Sequence, residues 1–445
     1  MSLAELRKQI DQRQAVVGVI GLGYVGLPVA CMFAQAGFSV VGLDIKAERI
    51  ATIGAGHNPI EGVEPGLAEL IAEVVAAGRL QATTDYAQLR RADVVLIDVE
   101  TPVDEDHVPQ YAALKAACQS LGPVLKAGTL VIVESTIAPG TVDGVVLPEL
   151  QAASGKVVNR DFYLGACPER VMPGRLLLNL KAMSRVCGGS TPETAETMAA
   201  LYRVIVQGDL DEADCVTAEL VKTAENAYRD VNIAFANELA LACEVTGGDF
   251  LRVRELVNKS PGRNVLLAGA GVGGHCIPKD SWLLARGVNG LAPVQLLTAA
   301  RKVNDYMPRH VADVVKQMVK ASGRALSNAR VAVLGYAYLE ESDDTRNSPS
   351  EVLVAKLREL GAEVTVHDPW VPEYQGDLLE RARGCDAAVV MVAHRTYKTL
   401  DLAALKAVLR TPVLVDGRRV FTAEKAHAAG LRYHAVGLGN REGQG

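Results

Sequence analysis

Ala15-Val16-Val17-Gly18-Val19-Ile20-Gly21-Leu22-Gly23-Tyr24-Val25-Gly26 is the stretch that decides the fold. Ala15 to Ile20 form the short, continuous apolar run of a strand buried on both faces. Three glycines follow at fixed spacing, and an amphipathic helical pattern then runs to Ala36-Gly37. A second strand, Ser39 to Leu43, closes on Asp44. Gly21 suits a tight turn, Gly23 admits a pyrophosphate, and Gly26 lets helix and strand pack closely, with phosphates on the helix N-terminus. Tyr24 and Val25 fall inside the same loop. Asp44, 18 residues after Gly26, is placed to accept hydrogen bonds from an adenine ribose diol. Its charge would repel a 2′-phosphate, so the expected cofactor is NAD, although Lys46 two residues on works against that choice.

Outward from this unit, strands read at Val94–Val99, Leu130–Glu134, Phe162–Ala166 and Arg185–Cys187, with helical patterns between most of them. Such alternation means a parallel sheet covered on both faces. Residues 212 to 246 contain no Gly or Pro and read as one long helix. A second helical block runs from about Pro293 to Lys320. Strands then resume at Val331–Gly335, Glu363–His367, Ala387–Val392 and Pro412–Val415. The expected fold is α/β: two Rossmann-like, doubly wound parallel-sheet domains joined by a long central helix. The boundaries expected are 1–209 for the NAD-binding domain, 210–322 for a central helical domain and 323–445 for the C-terminal domain. The second half carries Gly335-Tyr336-Ala337-Tyr338, which lacks the later glycines and is not expected to hold a dinucleotide.

Composition excludes several classes. The 445 residues are 49% hydrophobic and 22% charged, the profile of a globular protein of two or three domains at about 150 residues each. A formal net charge of −6 without long Lys/Arg runs gives a nucleic-acid role no electrostatic support. No apolar stretch reaches the roughly 18 residues of a membrane span. Met1 to Gln14 is polar and charged, unlike the apolar core of a secretory signal. The eight cysteines form no C-x-x-C pair, so reduced thiols in the cytoplasm, and no structural zinc site, are expected.

Four stretches hold residues that chemistry can use. Gly271-Val272-Gly273-Gly274-His275-Cys276-Ile277-Pro278-Lys279-Asp280 sets a thiol in a glycine-rich turn with a carboxylate four residues on. Taken alone, Cys276 reads first as a buried structural cysteine, and the cofactor signature at the other end of the chain reverses that reading. Lys222, Asn226 and Arg229 follow at steps of four and three, within about a 60° arc of one helix. A lysine and an amide on one stripe suit a developing oxyanion, whereas a solvated charged face is the plainer alternative. Glu169, in Cys167-Pro168-Glu169-Arg170, follows a strand and is an acid/base candidate. Thr136, in Glu134-Ser135-Thr136, also follows a strand and suits a hydrogen bond to cofactor or substrate. NAD, thiol, carboxylate and oxyanion-binding lysine together suggest oxidation of an alcohol to an aldehyde. Capture by the Cys276 thiolate and a second oxidation would then give a thioester, which water hydrolyses.

These motifs resemble the UDP-glucose/GDP-mannose dehydrogenase family over nearly the whole chain. The matching residues are Gly21-Leu22-Gly23-Tyr24-Val25-Gly26-Leu27-Pro28, Thr101-Pro102, Glu134-Ser135-Thr136, Pro168-Glu169-Arg170, Lys222 with Asn226, Gly273 to Asp280, and Asp343-Asp344-Thr345-Arg346 with Ser348-Pro349. The resemblance implies four-electron, NAD-dependent oxidation of C6 of a nucleotide sugar to a uronic acid, and a homodimer built on the long helix. It implies Cys276 as thioester nucleophile, Asp280 as the residue holding or activating water, and Lys222 and Asn226 as oxyanion stabilisers. Glu169 and Thr136 would position water and the reacting hydroxyl, and Thr101 would face the cofactor. Arg170 and Gly273 join the substrate set. Arg263 falls where the family has an arginine reaching a neighbouring subunit's substrate, and Arg346 would lie near the diphosphate. Pro173 stands where UDP-glucose enzymes often carry a second glutamate, and Tyr338-Leu339 replaces the usual Phe-Lys. These departures weigh against the UDP-glucose contacts, and the runs Glu225 to Glu238 and Glu169 to Gly174 resemble the branch acting on UDP-N-acetylmannosamine, with Arg229 as a contact for the acetamido group. UDP-glucose, UDP-N-acetylglucosamine or UDP-N-acetylgalactosamine are the alternatives, ahead of a two-electron hydroxyacid dehydrogenase of the 6-phosphogluconate type.

Overall fold

The computed structural model describes the chain apart from Glu61, Val63, Met172, Pro173, Asn289 and residues 440–445, so the Pro173 departure lies outside the described residues. Two compact units make up the chain. The first takes Met1–Glu225 with Trp282–Pro293, and the second takes Asn226–Ser281 with Val294–Gly445.

The first unit holds β1 (Val16–Ile20), β2 (Ser39–Leu43), β3 (Leu80–Thr83), β4 (Val94–Ile97), β5 (Leu130–Val133), β6 (Tyr163–Ala166), β7 (Arg185–Gly189) and β8 (Leu210–Asp214). They form one sheet in the order β3-β2-β1-β4-β5-β6-β7-β8. Valine and isoleucine dominate the central strands because branched side chains pack well on a pleated surface. Successive residues feed opposite cores: Val17, Val19, Leu96 and Ile132 one face, Val95, Ile97, Val131 and Val133 the other. Both faces are buried, which is why these strands read as unbroken apolar runs.

One pairing departs from the expected all-parallel sheet. β6 and β7 are antiparallel, Gly165 opposite Gly189 and Ala166 opposite Gly188. Glycines permit that approach, since a Cβ on Gly165 would come within 2.7 Å of the Gly188 carbonyl oxygen. The reversal brings the start of β7, at Arg185, to the carboxyl end of β6. Sequence reading missed β3 and β8, edge strands whose mixed polar sequences are typical of partly solvated edges. β8 also occupies the first residues of the expected long helix. That helix begins at Cys215 and ends at Thr246, and Asp214 Oδ1 accepts from the Thr217 amide at 2.8 Å to cap its start.

The second unit holds β9 (Arg330–Leu334), β10 (Glu363–His367), β11 (Ala387–Val390), β12 (Val413–Asp416) and β13 (Arg432–Ala435), all parallel. Their order is β10-β9-β11-β12-β13, again with apolar cores on both faces. Asp368, after β10, accepts from the Tyr336 and Ala337 amides at 2.6 and 3.0 Å. Its carboxylate thus closes the Gly335 turn from within. Among the described residues no helix is long and apolar enough to cross a membrane.

Candidate active site

In the first unit the strand order reverses between β1 and β4, where open α/β sheets bind ligands outside the strand carboxyl ends. The glycine triad lies there. Gly21 has φ +95°, and a Cβ on it would meet the Asp98 carbonyl oxygen at 2.4 Å. A Cβ on Gly26 would fall 2.0 Å from the Gly21 carbonyl oxygen. Around Gly23 an added Cβ meets nothing within 4 Å, which leaves the open approach a pyrophosphate requires. The helix Gly26–Gln35 that follows has no side-chain cap, so its first amides keep their capacity for an anion. The residues present therefore fit NAD. Tyr24 donates to Glu64, holding the loop's outer side, and Val25 is half-buried.

Asp44 is only 5% exposed. Its Oδ2 accepts from the Leu22 amide at 3.0 Å and from Arg49 Nη1 at 2.9 Å, while Oδ1 accepts from the Lys46 amide at 2.9 Å. The carboxylate thus braces the glycine turn, and Lys46 contributes its backbone to that brace. Arg49 is a neighbour the sequence reading did not single out. Thr101 Oγ1 donates to the Thr136 carbonyl at 2.6 Å, joining the loops after β4 and β5.

Glu169 and Lys222 come together: Lys222 Nζ lies 3.4 Å from Glu169 Oε2, and both residues are buried. Arg170 turns to Glu225 instead, its Nε donating to Glu225 Oε2 at 2.9 Å. This pair ties the loop after β6 to the long helix. One turn before Lys222, Glu219 cradles the loop after β5, accepting from the Gly140 and Val142 amides at 2.5 and 2.8 Å. Burial pushes its carboxyl up to about 7 against the pull of those amides. The same helix carries Lys222 and Asn226 one turn apart.

In the second unit the glycine-rich segment leads into a helix whose first residue is Cys276, Cys276–Gly287. The expected turn is therefore a helix N-terminus, and the thiol is exposed there, where the helix dipole favours negative charge. The other seven cysteines are buried. Asp280, one turn on, is fully buried, and Asn226 Nδ2 donates to its Oδ2 at 2.6 Å. Gly274 has φ +88°, and a Cβ on it would strike the Tyr338 ring at 2.8 Å. The Gly274 amide donates to the Arg346 carbonyl at 2.9 Å, and Asn347 Nδ2 donates back to the Gly274 carbonyl at 3.1 Å. Gly273 is equally tight, its added Cβ falling 2.6 Å from Tyr338 Cβ. The Arg346 motif and the Cys276 motif therefore adjoin. Burial pushes the Tyr338 phenol up to about 12, and the Asp344 charge adds to it. The Arg346 guanidinium binds Asp344 with Nε and Nη2.

Two expected residues are exposed. Arg229 is exposed although it shares a stripe with buried Lys222, and Arg263 sits on an exposed loop with Nη1 donating to the Pro261 carbonyl at 2.8 Å. Sequence reading missed a buried polar knot beneath the Cys276 helix. Asp230 Oδ1 accepts from Arg301 Nη1 at 2.6 Å and Asn304 Nδ2 at 2.7 Å, and Asp230 Oδ2 accepts from Ser281 Oγ at 3.0 Å. The only signals were Asp230 and Arg301 at core-facing positions of their helices. No group of His, Cys, Asp and Glu suited to a metal occurs among the described residues.

Residues 15–206 match the NAD binding domain of the UDP-glucose/GDP-mannose dehydrogenase family, 216–306 its central domain and 332–423 its UDP binding domain. A UDP-N-acetyl-D-mannosamine dehydrogenase from Pyrococcus horikoshii is 37% identical over 95% of this chain and 99% of its own. A solved structure described as UDP-D-ManNAc dehydrogenase from the same organism superimposes with a TM-score of 0.89 at 36% identity, covering 95% of this chain and 99% of that one. An NDP-N-acetyl-D-galactosaminuronic acid dehydrogenase from Methanosarcina mazei gives a TM-score of 0.87 at 37% identity, covering 98% of each chain. The chain belongs to the UDP-glucose/GDP-mannose dehydrogenase family, and it is an NAD-dependent nucleotide-sugar dehydrogenase.

Proposed function

We propose that the chain oxidises the C6 hydroxyl of UDP-N-acetylmannosamine to the carboxylate through a thioester on Cys276. The observation that carries the reading is the Cys276–Asp280–Asn226 arrangement: a thiol at a helix N-terminus, a buried carboxylate one turn on, and an amide 2.6 Å from that carboxylate. The names of the relatives and the Glu225–Glu238 run favour the mannosamine sugar.

The first unit holds NAD at Gly21, Gly23, Tyr24, Val25, Gly26, Asp44, Thr101 and Thr136, and NAD supplies the hydride acceptor for both oxidations. Thr136 and Glu169 position the reacting hydroxyl and water. Lys222 and Asn226 donate to oxygen as it becomes anionic, at the alkoxide and again at the tetrahedral centres. The Cys276 thiolate adds to the C6 aldehyde, giving a thiohemiacetal. Loss of a second hydride and a proton leaves the thioester. Asp280 then directs water onto the acyl carbon, releasing the acid and restoring the thiol. Arg170, Arg229, Arg263, Gly273 and Arg346 form the sugar and diphosphate contacts.

The division at 1–209, 210–322 and 323–445 belongs to the same proposal. So does a cytoplasmic homodimer, favoured by Tyr228 and Phe235, which are 72% and 55% exposed and seven residues apart on the long helix. The test is NADH formed per sugar consumed, with UDP-N-acetylmannosamine, UDP-glucose and UDP-N-acetylglucosamine side by side. Two NADH per sugar with the mannosamine substrate preferred supports the reading. One NADH from every sugar overturns the mechanism, and preference for UDP-glucose overturns the substrate.

A further inference from the structure

At the carboxyl ends of β4 and β5 two acidic residues follow the strands directly. Ile97 pairs with Val133 in register, so Asp98 and Glu134, one step further, stand side by side. Asp98 Oδ2 and Glu134 Oε2 are both enclosed, and neither accepts a hydrogen bond from any donor among the described residues. The remaining Glu134 oxygen is taken: Oε1 accepts from Arg185 Nη1 at 2.7 Å and from the Tyr202 hydroxyl at 2.8 Å. Glu134, Arg185 and Tyr202 are each at most 2% exposed.

Two bare carboxylate oxygens facing each other in the interior are costly. Charge bookkeeping gives the same answer. Asp98, Glu134 and Glu169 are three carboxylates at one end of the sheet, and Arg185 and Lys222 are the cations paired with Glu134 and Glu169. One proton closes the balance and satisfies both orphan oxygens at once.

We infer that Asp98 and Glu134 share a single proton and thereby act as a positioning pair for the dinucleotide. Asp98 is the floor of the phosphate turn. Its carbonyl oxygen bounds the space at Gly21, and its Cβ lies 2.9 Å from where a Gly26 Cβ would stand. While the proton is held, that floor adds no net charge behind the bound pyrophosphate. Loss of the proton sets an uncompensated carboxylate there, which opposes an anionic ligand. Burial holds the Asp98 carboxyl well above the usual carboxylate range. The charge of Glu134, the hydrogen bond to it and the charge of Glu169 add to this, and Arg185 pulls the other way. Dinucleotide affinity therefore falls in alkaline solution, through groups that touch neither substrate nor the reacting atoms.

The proposal rests on NAD occupying the Gly21–Gly26 turn, and its test separates the two ideas. Infrared difference spectra of the ligand-free protein at neutral pH, taken in a Glu219→Gln background so that the raised Glu219 carboxyl contributes no band, are expected to show a protonated carboxyl band that both Asp98→Asn and Glu134→Gln remove. A band absent from that background, or persisting in both variants, overturns the shared proton whatever NAD does. Calorimetric titration with NAD between about pH 7 and about pH 10 is expected to show affinity dropping about tenfold or more in the wild type. Asp98→Asn is expected to hold its affinity over that range. Equal pH dependence in the wild type and both variants overturns the link to cofactor binding. An unstable Asp98→Asn protein leaves Glu134→Gln to carry the same comparison.

Discussion

Asn226 on the long helix donates a 2.6 Å hydrogen bond to Asp280, a fully buried carboxylate one turn beyond Cys276. The bond joins the long helix to the Cys276 helix one turn beyond the thiol.

Replacing Asn226 by Ala removes a hydrogen bond to a charged, buried acceptor, a contact typically worth about 1.5–3 kcal/mol. Steady-state kinetics should show kcat down about 10- to 100-fold with a smaller change in KM. An unchanged kcat would mean that the Asn226–Asp280 contact serves only folding.

Gly23→Ala separates folding from cofactor binding. Its Cβ meets no atom of the protein, so the melting temperature should stay within about a degree, as for surface changes of under about 0.5 kcal/mol. NAD affinity should fall at least about tenfold, because the methyl occupies the phosphate approach. Gly26→Ala, with its Cβ 2.0 Å from the Gly21 carbonyl oxygen, should lose both. Retained NAD binding in Gly23→Ala would move the pyrophosphate elsewhere.

Asp230 is the anchor of the buried knot that joins the long helix to the Cys276 helix through Ser281 and to Arg301. Asp230→Ala strands a buried guanidinium and should cost about 3 kcal/mol, softened by the second partner of Arg301, Asp305. Ser281→Ala should cost about 1 kcal/mol. Thermal unfolding reads both, and an Asp230→Ala protein as stable as wild type would refute the knot's role.

Glu219 gives stability a pH dependence of known sign. Its folded-state carboxyl sits at about 7 against 4.5 as the ordinary value, so the folded protein binds the proton more tightly. The associated stability is complete below about pH 4.5 and is lost as pH rises to about 7, amounting to about 3 kcal/mol. Melting temperatures across that window should decline more steeply for wild type than for Glu219→Gln. Parallel curves would contradict the assignment.

Much of this was legible in the residues. The central strands announced themselves because both faces of each sheet are buried, and the glycine triad because each glycine answers a separate steric demand. β3, β8 and β13 were not legible. Leu80–Thr83 and Leu210–Asp214 are polar edge strands, and Arg432–Ala435 mixes charge with aromatic residues. The Glu169–Lys222 and Asn226–Asp280 contacts join residues 53 and 54 positions apart, a separation that local pattern does not encode. The Cys276 helix was read as a turn because three glycines and Pro278 surround its start. Arg229 was placed with Lys222 by helical geometry alone, but burial along one stripe depends on what packs against each turn: Lys222 and Ala236 are buried, and Arg229 between them is exposed.

The central claim is a covalent acyl intermediate on Cys276, and mass spectrometry of protein quenched during turnover tests it most directly. Asp280→Asn, expected to slow hydrolysis, should accumulate the sugar acyl group on the peptide that contains Cys276. The double variant that adds Cys276→Ser should carry no adduct there and should not form the uronic acid. An unmodified Cys276 peptide together with full acid formation by Cys276→Ser alone would contradict the account.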